Sequence, residues 1–346
     1  MRAAVFQGKG RPLAIETLAD PTPGEGQVVL RVGRCGICGS DLHMAEGHTF
    51  SFEIGAVPGH EFSGEVVAIG KGVSRLRLGD RVAVLPFLSC GHCKSCLAGD
   101  PMGCPKQRIM GSLGVNGGYA DYVLVDDIWC VNLPNSLGFD DGALVEPLAV
   151  SLRANRVSGI RSGDRVLVLG AGAIGLAAAF WARQSGASRI AVSATSHRRE
   201  AMAQAIGADA FITPEEGRTL AEQSAAALGG EADIVFECAG VTGSLDLAVS
   251  AVRRRGVIAA PGFCWNPDSF SPIWAMVKEV TIRYTNVYDT QEFEIAVRAL
   301  DRGHVEPRAM ITDVVSLDDA PAAFAKTFSK WAYRVTIAAG MPPTME

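Results

Sequence analysis

Four cysteines fall within the stretch CGHCKSCLAGDPMGC, and Cys90, Cys93, Cys96 and Cys104 follow the spacing C-x2-C-x2-C-x7-C. Four thiolates on one short loop can close a tetrahedron around Zn²⁺ with no open position, so the expected role is structural. An iron–sulfur cluster is the rival, because Pro105 follows the last cysteine. The ferredoxin run, however, has a shorter spacing before its final cysteine. Disulfides are a third reading, but a secreted disulfide scaffold is smaller and more evenly stapled, and nine cysteines is an odd number. A closed tetrathiolate site holds a lobe together and leaves the chemistry to other residues.

Two other segments carry reactive types: RCGICGSDLH, residues 34–43, and VPGHEFSGEVVAIG, residues 57–70. Between them they offer Cys38, His43, His60 and Glu61. A catalytic zinc needs three protein ligands from the Cys, His and carboxylate set and a free fourth position. Taken singly, each has a plainer explanation: a lone cysteine is most often a small buried apolar residue, and a lone histidine a hydrogen-bonded one.

Further on, DRVLVLGAGAIG, residues 164–175, is a β-branched-rich strand running into G-x-G-x-x-G. A helical pattern follows to Gly186, then a second strand, RIAVSA. Strand, glycine turn, helix and strand in that order are the context a dinucleotide site requires. Gly170 permits the turn, Gly172 lets the backbone approach a pyrophosphate, and Gly175 allows close helix–strand packing, with Ala173 and Ile174 between them. The helix N-terminus would hold the phosphates through free N–H groups and its dipole.

These residues need elements to position them. After RIAVSA the alternation continues through AFIT, ADIVFECAG, GVIAAPG and VTIRYTNV, each separated by a helical stretch. That predicts a doubly wound parallel sheet of six strands over residues 153–288. Residues 1–152 read instead as short strands, QVVLRVGR, GEVVAIG, DRVAVLP and YADYVLV, between Gly/Pro turns: an all-β domain carrying both cysteine sites. The tail, residues 289–346, holds a helix (FEIAVRAL), a turn and a terminal strand (YRVTIAA), and is expected to complete the first domain. A length of 346 residues suits two domains. The formal charge of −5 argues against nucleic acid or an anionic membrane as partner. The start, MRAAVFQGKGR, lacks the apolar core of a secretory signal, and VLVLGAGAIGLAAAFWA is short for a bilayer span and carries three glycines. A cytoplasmic protein with reduced thiols is the expectation.

Taken together, GICGSDLH, PGHEFSGEV, CGHCKSC with its late Cys104, VEPLAVSL and VLGAGAIG, in this order, resemble the zinc-dependent medium-chain dehydrogenases, the family of alcohol, sorbitol and threonine dehydrogenases. The resemblance runs over essentially the whole chain. It implies an α/β fold, a GroES-like all-β catalytic domain joined to a Rossmann sheet. It further implies that Cys38 and His60 ligate a catalytic zinc, with Glu61 as ligand or support. The remaining ligand position, a cysteine in many primary-alcohol enzymes, is a glutamate opening an E-P-L segment in sorbitol-like ones, and here reads Glu146-Pro147-Leu148. Asp41 would orient the zinc-bound histidine, Ser40 and His43 would relay a proton, and Arg334 would reach the cofactor pyrophosphate. Two zinc ions per chain, a nicotinamide cofactor, a small alcohol or ketone as substrate and a homodimer or homotetramer follow from the same resemblance. The reacting centre is expected in the cleft between the domains.

Which nicotinamide is used depends on the end of the second strand of the sheet. An NAD enzyme places a carboxylate there for the ribose hydroxyls. Here that position is Ala194, followed by Thr195, Ser196, His197, Arg198 and Arg199, and the first acid is Glu200. Hydroxyls and guanidinium groups suit a 2′-phosphate, so NADP is the expected cofactor and NAD the alternative. Cys238, Ala239, Gly262 and Phe263 are expected to contribute further cofactor contacts. Phe50 and Phe52 in HTFSFEIG, and Trp265, Phe270 and Trp274 in FCWNPDSFSPIW, favour an apolar, cyclic or aromatic secondary alcohol. Sorbitol-type enzymes carry an Arg-Tyr pair where this chain reads Val287-Tyr288, so a polyol grip is partly missing; a polyol or threonine-type dehydrogenase using NAD is the alternative.

Overall fold

The structure, a computed structural model, describes residues 1–47, 51–98, 100–112, 114–330 and 334–338, without the side chains of 101, 328–330, 334 and 335. Its contacts divide the chain into two compact units, one of residues 1–146, 289–303 and 311–346, the other of residues 147–288 and 304–310.

The first unit is mostly β. Its strands are β1 (Arg2–Val5), β2 (Ala14–Thr17), β3 (Gln27–Gly36), β4 (Glu61–Ile69), β5 (Arg81–Val84), β6 (Phe87–Leu88), β7 (Arg108–Ile109), β8 (Tyr122–Asp126) and β9 (Cys130–Asn132). Among the short helices that accompany them, α1 (Gly39–Glu46) and α2 (Lys94–Leu97) matter here. DRVAVLP, which reads as one strand in the sequence, supplies β5 alone; Pro86 at its end separates it from β6, because proline cannot donate to a ladder. The antiparallel pair β3–β4 does most to build the site: Gly36 faces Glu61 and Cys35 faces Phe62. The end of β3 therefore delivers Cys38 to the place where His60 enters β4.

Helix α3 (Phe139–Ser158) contains the boundary between the units at Glu146-Pro147. The second unit then runs β10 (Arg165–Leu169), α4 (Ala173–Gln184), β11 (Arg189–Ser193), α5 (Glu200–Ile206), β12 (Ala210–Ile212), α6 (Leu220–Leu228), β13 (Ala232–Glu237), α7 (Ser244–Ala251), β14 (Val252–Ala260), α8 (Pro272–Lys278) and β15 (Thr281–Tyr284). All five ladders are parallel, in the order β12-β11-β10-β13-β14-β15. The chain winds outward from β10, returns, and winds outward again from β13, the reversal that opens a crevice at the carboxyl ends of these two neighbours. Helices cover the sheet, so Val166, Leu167 and Val168 are fully buried and the strand reads as an unbroken apolar run. Residues 176–182 of α4 are buried too, four of them alanines that let the helix lie close.

The tail holds more than the sequence indicates. Besides α9 (Thr290–Asp301) and the terminal strand there is a further strand, β16 (Ile311–Ser316), and a helix, α10 (Ala320–Lys330). The terminal strand β17 (Arg334–Ala338) lies between β16 and β3, with Thr336 facing Gly36 and Ile337 facing Cys35.

Candidate metal and cofactor sites

Cys38 is the N-cap of α1, and its backbone N–H donates to Asp41 Oδ2, 3.1 Å away, one turn into the helix. Asp41 is fully buried, and its second oxygen lies 3.1 Å from His60 Nδ1. With Nδ1–H donated to Asp41, Nε2 is left as a lone pair facing the sulfur of Cys38. One donor atom each from Cys38, His60 and Glu61 lies within 4.8 Å of the others, close enough to share one cation. Ser40 is at the same spot, its hydroxyl 3.2 Å from Cys38 Sγ and 3.4 Å from His60 Nε2. His43 lies one turn further along α1, with Nδ1 3.7 Å from the Glu46 carboxylate. Glu146 is buried, but it does not belong to the set of mutually close donors.

The protein groups alone hold protons on this cluster. Burial pushes the Cys38 thiol up, and the nearby Glu61 charge adds to that. Burial works against a charged His60, but the Asp41 carboxylate and the Cys38 sulfur outweigh it and hold the imidazole well above its usual value. A divalent cation reverses both directions, because it binds only the thiolate and the neutral imidazole. One sulfur, one imidazole nitrogen and one carboxylate, with a hydrogen-bonded carboxylate behind the histidine, are the donor chemistry of a zinc site that keeps a position open.

The four-cysteine loop is assembled separately. Cys90, Cys93, Cys96 and Cys104 bring their sulfurs within 4.8 Å of one another. The Cys93 and Cys96 sulfurs are 3.4 Å apart, and the backbone N–H groups of Cys90 and Lys106 each donate to Cys104 Sγ over 3.4 Å. The Ser89 hydroxyl draws Cys96 down to about 6; the Cys96 backbone N–H works to lower Cys93, but the proton shared with Cys96, desolvation and the Cys90 and Cys104 sulfurs together outweigh it and push Cys93 up to about 11.

In the second unit, the glycine turn after β10 has the required shape. Gly170 has φ +96°, and a Cβ there would come within 2.9 Å of Ala239. A Cβ on Gly175 would lie 1.8 Å from the Gly170 carbonyl oxygen, so only glycine lets α4 start this close to the strand. Gly172, the N-cap of α4, has open space beside it, and the nearest group a Cβ would meet is the Arg199 guanidinium at 3.8 Å. Arg199 donates to the Ala171 carbonyl at 2.6 Å, so the basic loop after β11 is folded onto the glycine turn. Ala194 is half-buried, while Thr195, Ser196 and Arg198 are exposed. His197 is tied on both nitrogens, to Glu200 at 2.9 Å and to Thr213 at 3.0 Å, which engages the first acid of the loop. Leu169 pairs with Glu237, so Gly170 and Cys238-Ala239 leave adjacent strands side by side. Gly262 and Phe263 follow the carboxyl end of β14; Phe263 is 53% exposed and stacks on Trp265 with ring centroids 5.9 Å apart.

Phe52 is buried against Phe6, Phe270 packs on the core of the second unit, and Tyr288 is buried. Phe50 and the side chain of Arg334 lie outside the described residues. Two participants have no counterpart among the sequence expectations. Tyr119, fully buried, donates to Asp41 at 2.9 Å; Glu237, buried, accepts the N–H groups of Ala239 and Gly240 at 2.9 Å each. The available signals were a double glycine ahead of an aromatic, and a lone acid closing an apolar strand.

Comparison with known proteins gives the same account of the chain. Residues 24–135 match the family described as Alcohol dehydrogenase GroES-like domain, and residues 173–302 match Zinc-binding dehydrogenase. A probable D-xylulose reductase A of Aspergillus clavatus is 32% identical, over 92% of this chain and 90% of its own. An (R,R)-butanediol dehydrogenase of Bacillus subtilis is 32% identical over 92% of this chain and 93% of its own. A putative zinc-binding dehydrogenase of Sinorhizobium meliloti, solved bound to NADP, superposes with a TM-score of 0.89 at 29% identity, over 97% of this chain and 98% of that one. The GroES-like and zinc-binding dehydrogenase matches, and relatives aligned over nine-tenths of their length, place the chain in the zinc-dependent medium-chain dehydrogenase/reductase family, as an NAD(P)-dependent alcohol dehydrogenase.

Proposed function

We propose that the enzyme interconverts a secondary alcohol and its ketone, with NADP as the preferred cofactor, at a zinc held by Cys38, His60 and Glu61. The observation that carries this reading is the convergence of those three donors within 4.8 Å, beside the Ser40 hydroxyl. Glu146, the last ligand position implied by sequence, is the alternative carboxylate. When bound, zinc polarises the substrate oxygen and the nicotinamide takes or gives the hydride. Asp41 fixes the His60 ring with Nε2 toward the donors. Ser40 takes the proton of the substrate hydroxyl, and His43, one turn along the same helix face and partly exposed, passes it to solvent. Cys90, Cys93, Cys96 and Cys104, whose sulfurs also converge within 4.8 Å, would hold a second zinc that takes no part in turnover.

NADP preference rests on the loop after β11. Ala194 removes the carboxylate that would hold the ribose diol and repel a phosphate, Glu200 is engaged by His197, and Arg198, Thr195 and Ser196 are exposed on the loop, with side chains suited to a 2′-phosphate. Arg199, on the Ala171 carbonyl, belongs to the pyrophosphate end of the same grip, and Arg334 is assigned there too. The Phe263–Trp265 pair at the carboxyl end of β14, with Phe263 exposed and Trp265 half-buried, supports an apolar or aromatic substituent on the substrate. The vicinal-diol and sugar substrates named for the relatives favour a second reading, a polyol substrate.

Among the described residues no helix is long and apolar enough to cross a membrane. A cytoplasmic, symmetric homo-oligomer completes the proposal. Ile273, Trp274, Met276 and Val277 on α8 and Tyr284 on the edge strand β15 are all more than half exposed, which supports association. The deciding experiment measures zinc per chain and kcat/KM across a panel of apolar secondary alcohols, vicinal diols and polyols with each cofactor. Two zinc ions, and the highest kcat/KM for an apolar secondary alcohol with NADP⁺, are expected; better use of a polyol with NAD⁺ selects the second reading.

A further inference from the structure

Asp41 is the point on which the metal cluster turns. It is fully buried, and its two oxygens face donors from three separate parts of the chain. Oδ1 faces His60; Oδ2 accepts the Cys38 N–H at 3.1 Å and the Tyr119 hydroxyl at 2.9 Å. The phenol has a second acceptor within reach, the Gly36 carbonyl at 3.3 Å, but a carboxylate at the shorter distance takes the single proton. A buried carboxylate lacking a donor is free to rotate, and the ring it holds rotates with it.

Tyr119 is itself held on every side. Its N–H donates to the Pro58 carbonyl at 3.1 Å, and its carbonyl accepts from Ala4 at 2.8 Å. Gly117 and Gly118 ahead of it donate to Val57 and Gly59, each at 2.8 Å, so Gly117–Tyr119 lies along Val57–Gly59, the segment that ends in His60. Gly59 has φ +97°, and a Cβ there would come within 2.5 Å of the Tyr119 ring. The ring thus packs against the peptide preceding His60 while its hydroxyl secures the carboxylate that orients the His60 imidazole. Phe324 supports the far edge of the ring, with centroids 6.4 Å apart and planes at 75°.

We propose that Tyr119 is a positioning residue for the catalytic metal: its hydroxyl locks Asp41, and through Asp41 the rotamer and tautomer of His60. The proposal rests on the assignment of His60 as a zinc ligand. It separates the two contributions of one side chain, the ring serving stability and the hydroxyl serving metal retention.

Tyr119→Phe keeps the ring and removes the hydroxyl; Phe324→Leu removes support for the ring and keeps the hydroxyl. Each holoenzyme is exposed to a chromophoric chelator, and the release of zinc is followed together with kcat, KM and thermal unfolding. With Tyr119→Phe, one zinc per chain should leave roughly 10- to 100-fold faster than in the parent, the second staying at the four-cysteine loop, and kcat should fall more than KM changes. Cobalt exchanged into the variant should show a displaced ligand-field absorption. Phe324→Leu should melt earlier and release zinc like the parent. If Tyr119→Phe releases zinc and turns over like the parent, or if Phe324→Leu reproduces its metal loss, the hydroxyl is not the positioning group. If the parent enzyme itself carries only the four-cysteine zinc, the assignment of His60 fails, and this inference falls with it.

Discussion

Cys38 and Cys93 each stand at the N-cap of a helix, and serine at either place changes one atom, but the consequences differ. Cys38→Ser should remove one zinc and abolish turnover while the melting temperature stays close to that of the parent. Cys93→Ser should remove the other zinc and lower stability or solubility, because a closed site contributes its binding free energy to folding. Metal analysis and a melting curve on both variants check the pair. The two sites also differ toward acid. Cys38 and His60 are both shifted up, so each still binds a proton where zinc needs it bare, and affinity falls as pH is lowered. At the cysteine loop Cys90 and Cys96 are shifted down and Cys93 up. Lowering the pH from about 8 to about 5 should therefore release the Cys38–His60 zinc first, with activity lost in step, while the second zinc stays. At the cofactor loop, Arg198→Ala should cut kcat/KM for NADP⁺ by roughly 10-fold or more and leave NAD⁺ nearly untouched, the loss expected when a charged hydrogen bond goes. Equal losses with both cofactors would place the arginine outside the 2′-phosphate grip.

Within the second unit, the contact between α4 and β10 can be tested with a single methyl group. In Gly175→Ala the new carbon must clear the Gly170 carbonyl oxygen, which is backbone and cannot swing away. The helix has to shift, at a cost of about 1–3 kcal/mol, and the dinucleotide should bind more weakly. Denaturant unfolding and cofactor titration measure the two effects, and undiminished cofactor affinity would argue against the close packing. The elements of this unit were legible because parallel strands buried on both faces are continuous apolar runs and the glycine turn marks where the first one ends. The tail was harder: β16 alternates weakly between half-buried and exposed positions, and α10 opens on Ala-Pro-Ala, which sets no clear helical period. At the metal cluster, spacing and resemblance brought Cys38 and His60 to notice, since each sits in a short polar stretch at a strand end. Whether Glu61 or Glu146 stands beside them depends on how β3, β4 and α3 meet. Tyr119 was out of reach, being 78 residues from the carboxylate it holds.

At the level of the whole molecule, the chain passes between its two units four times, after residues 146, 288, 303 and 310. The six-stranded sheet is contained in one stretch, whereas the seven-stranded sheet takes β16 and β17 from the far end of the sequence. A fragment of residues 139–288 should fold cooperatively and bind the dinucleotide, with some loss of stability because His304 no longer packs on Phe180. A fragment of residues 1–288 should aggregate, because β3 would present an open edge where β17 belongs. Circular dichroism melts and light scattering on the two fragments check this, and a monomeric, cooperatively melting 1–288 would contradict it. Biosynthesis gives the same connectivity a consequence in time. A domain usually folds in the order in which its residues leave the ribosome. Here the unit that is made first must wait for the strand made last, so Cys38, His60 and the four-cysteine loop are translated into a sheet that lacks a member until β17 has been made, and the nucleotide-binding unit can finish folding before the metal-binding one that precedes it.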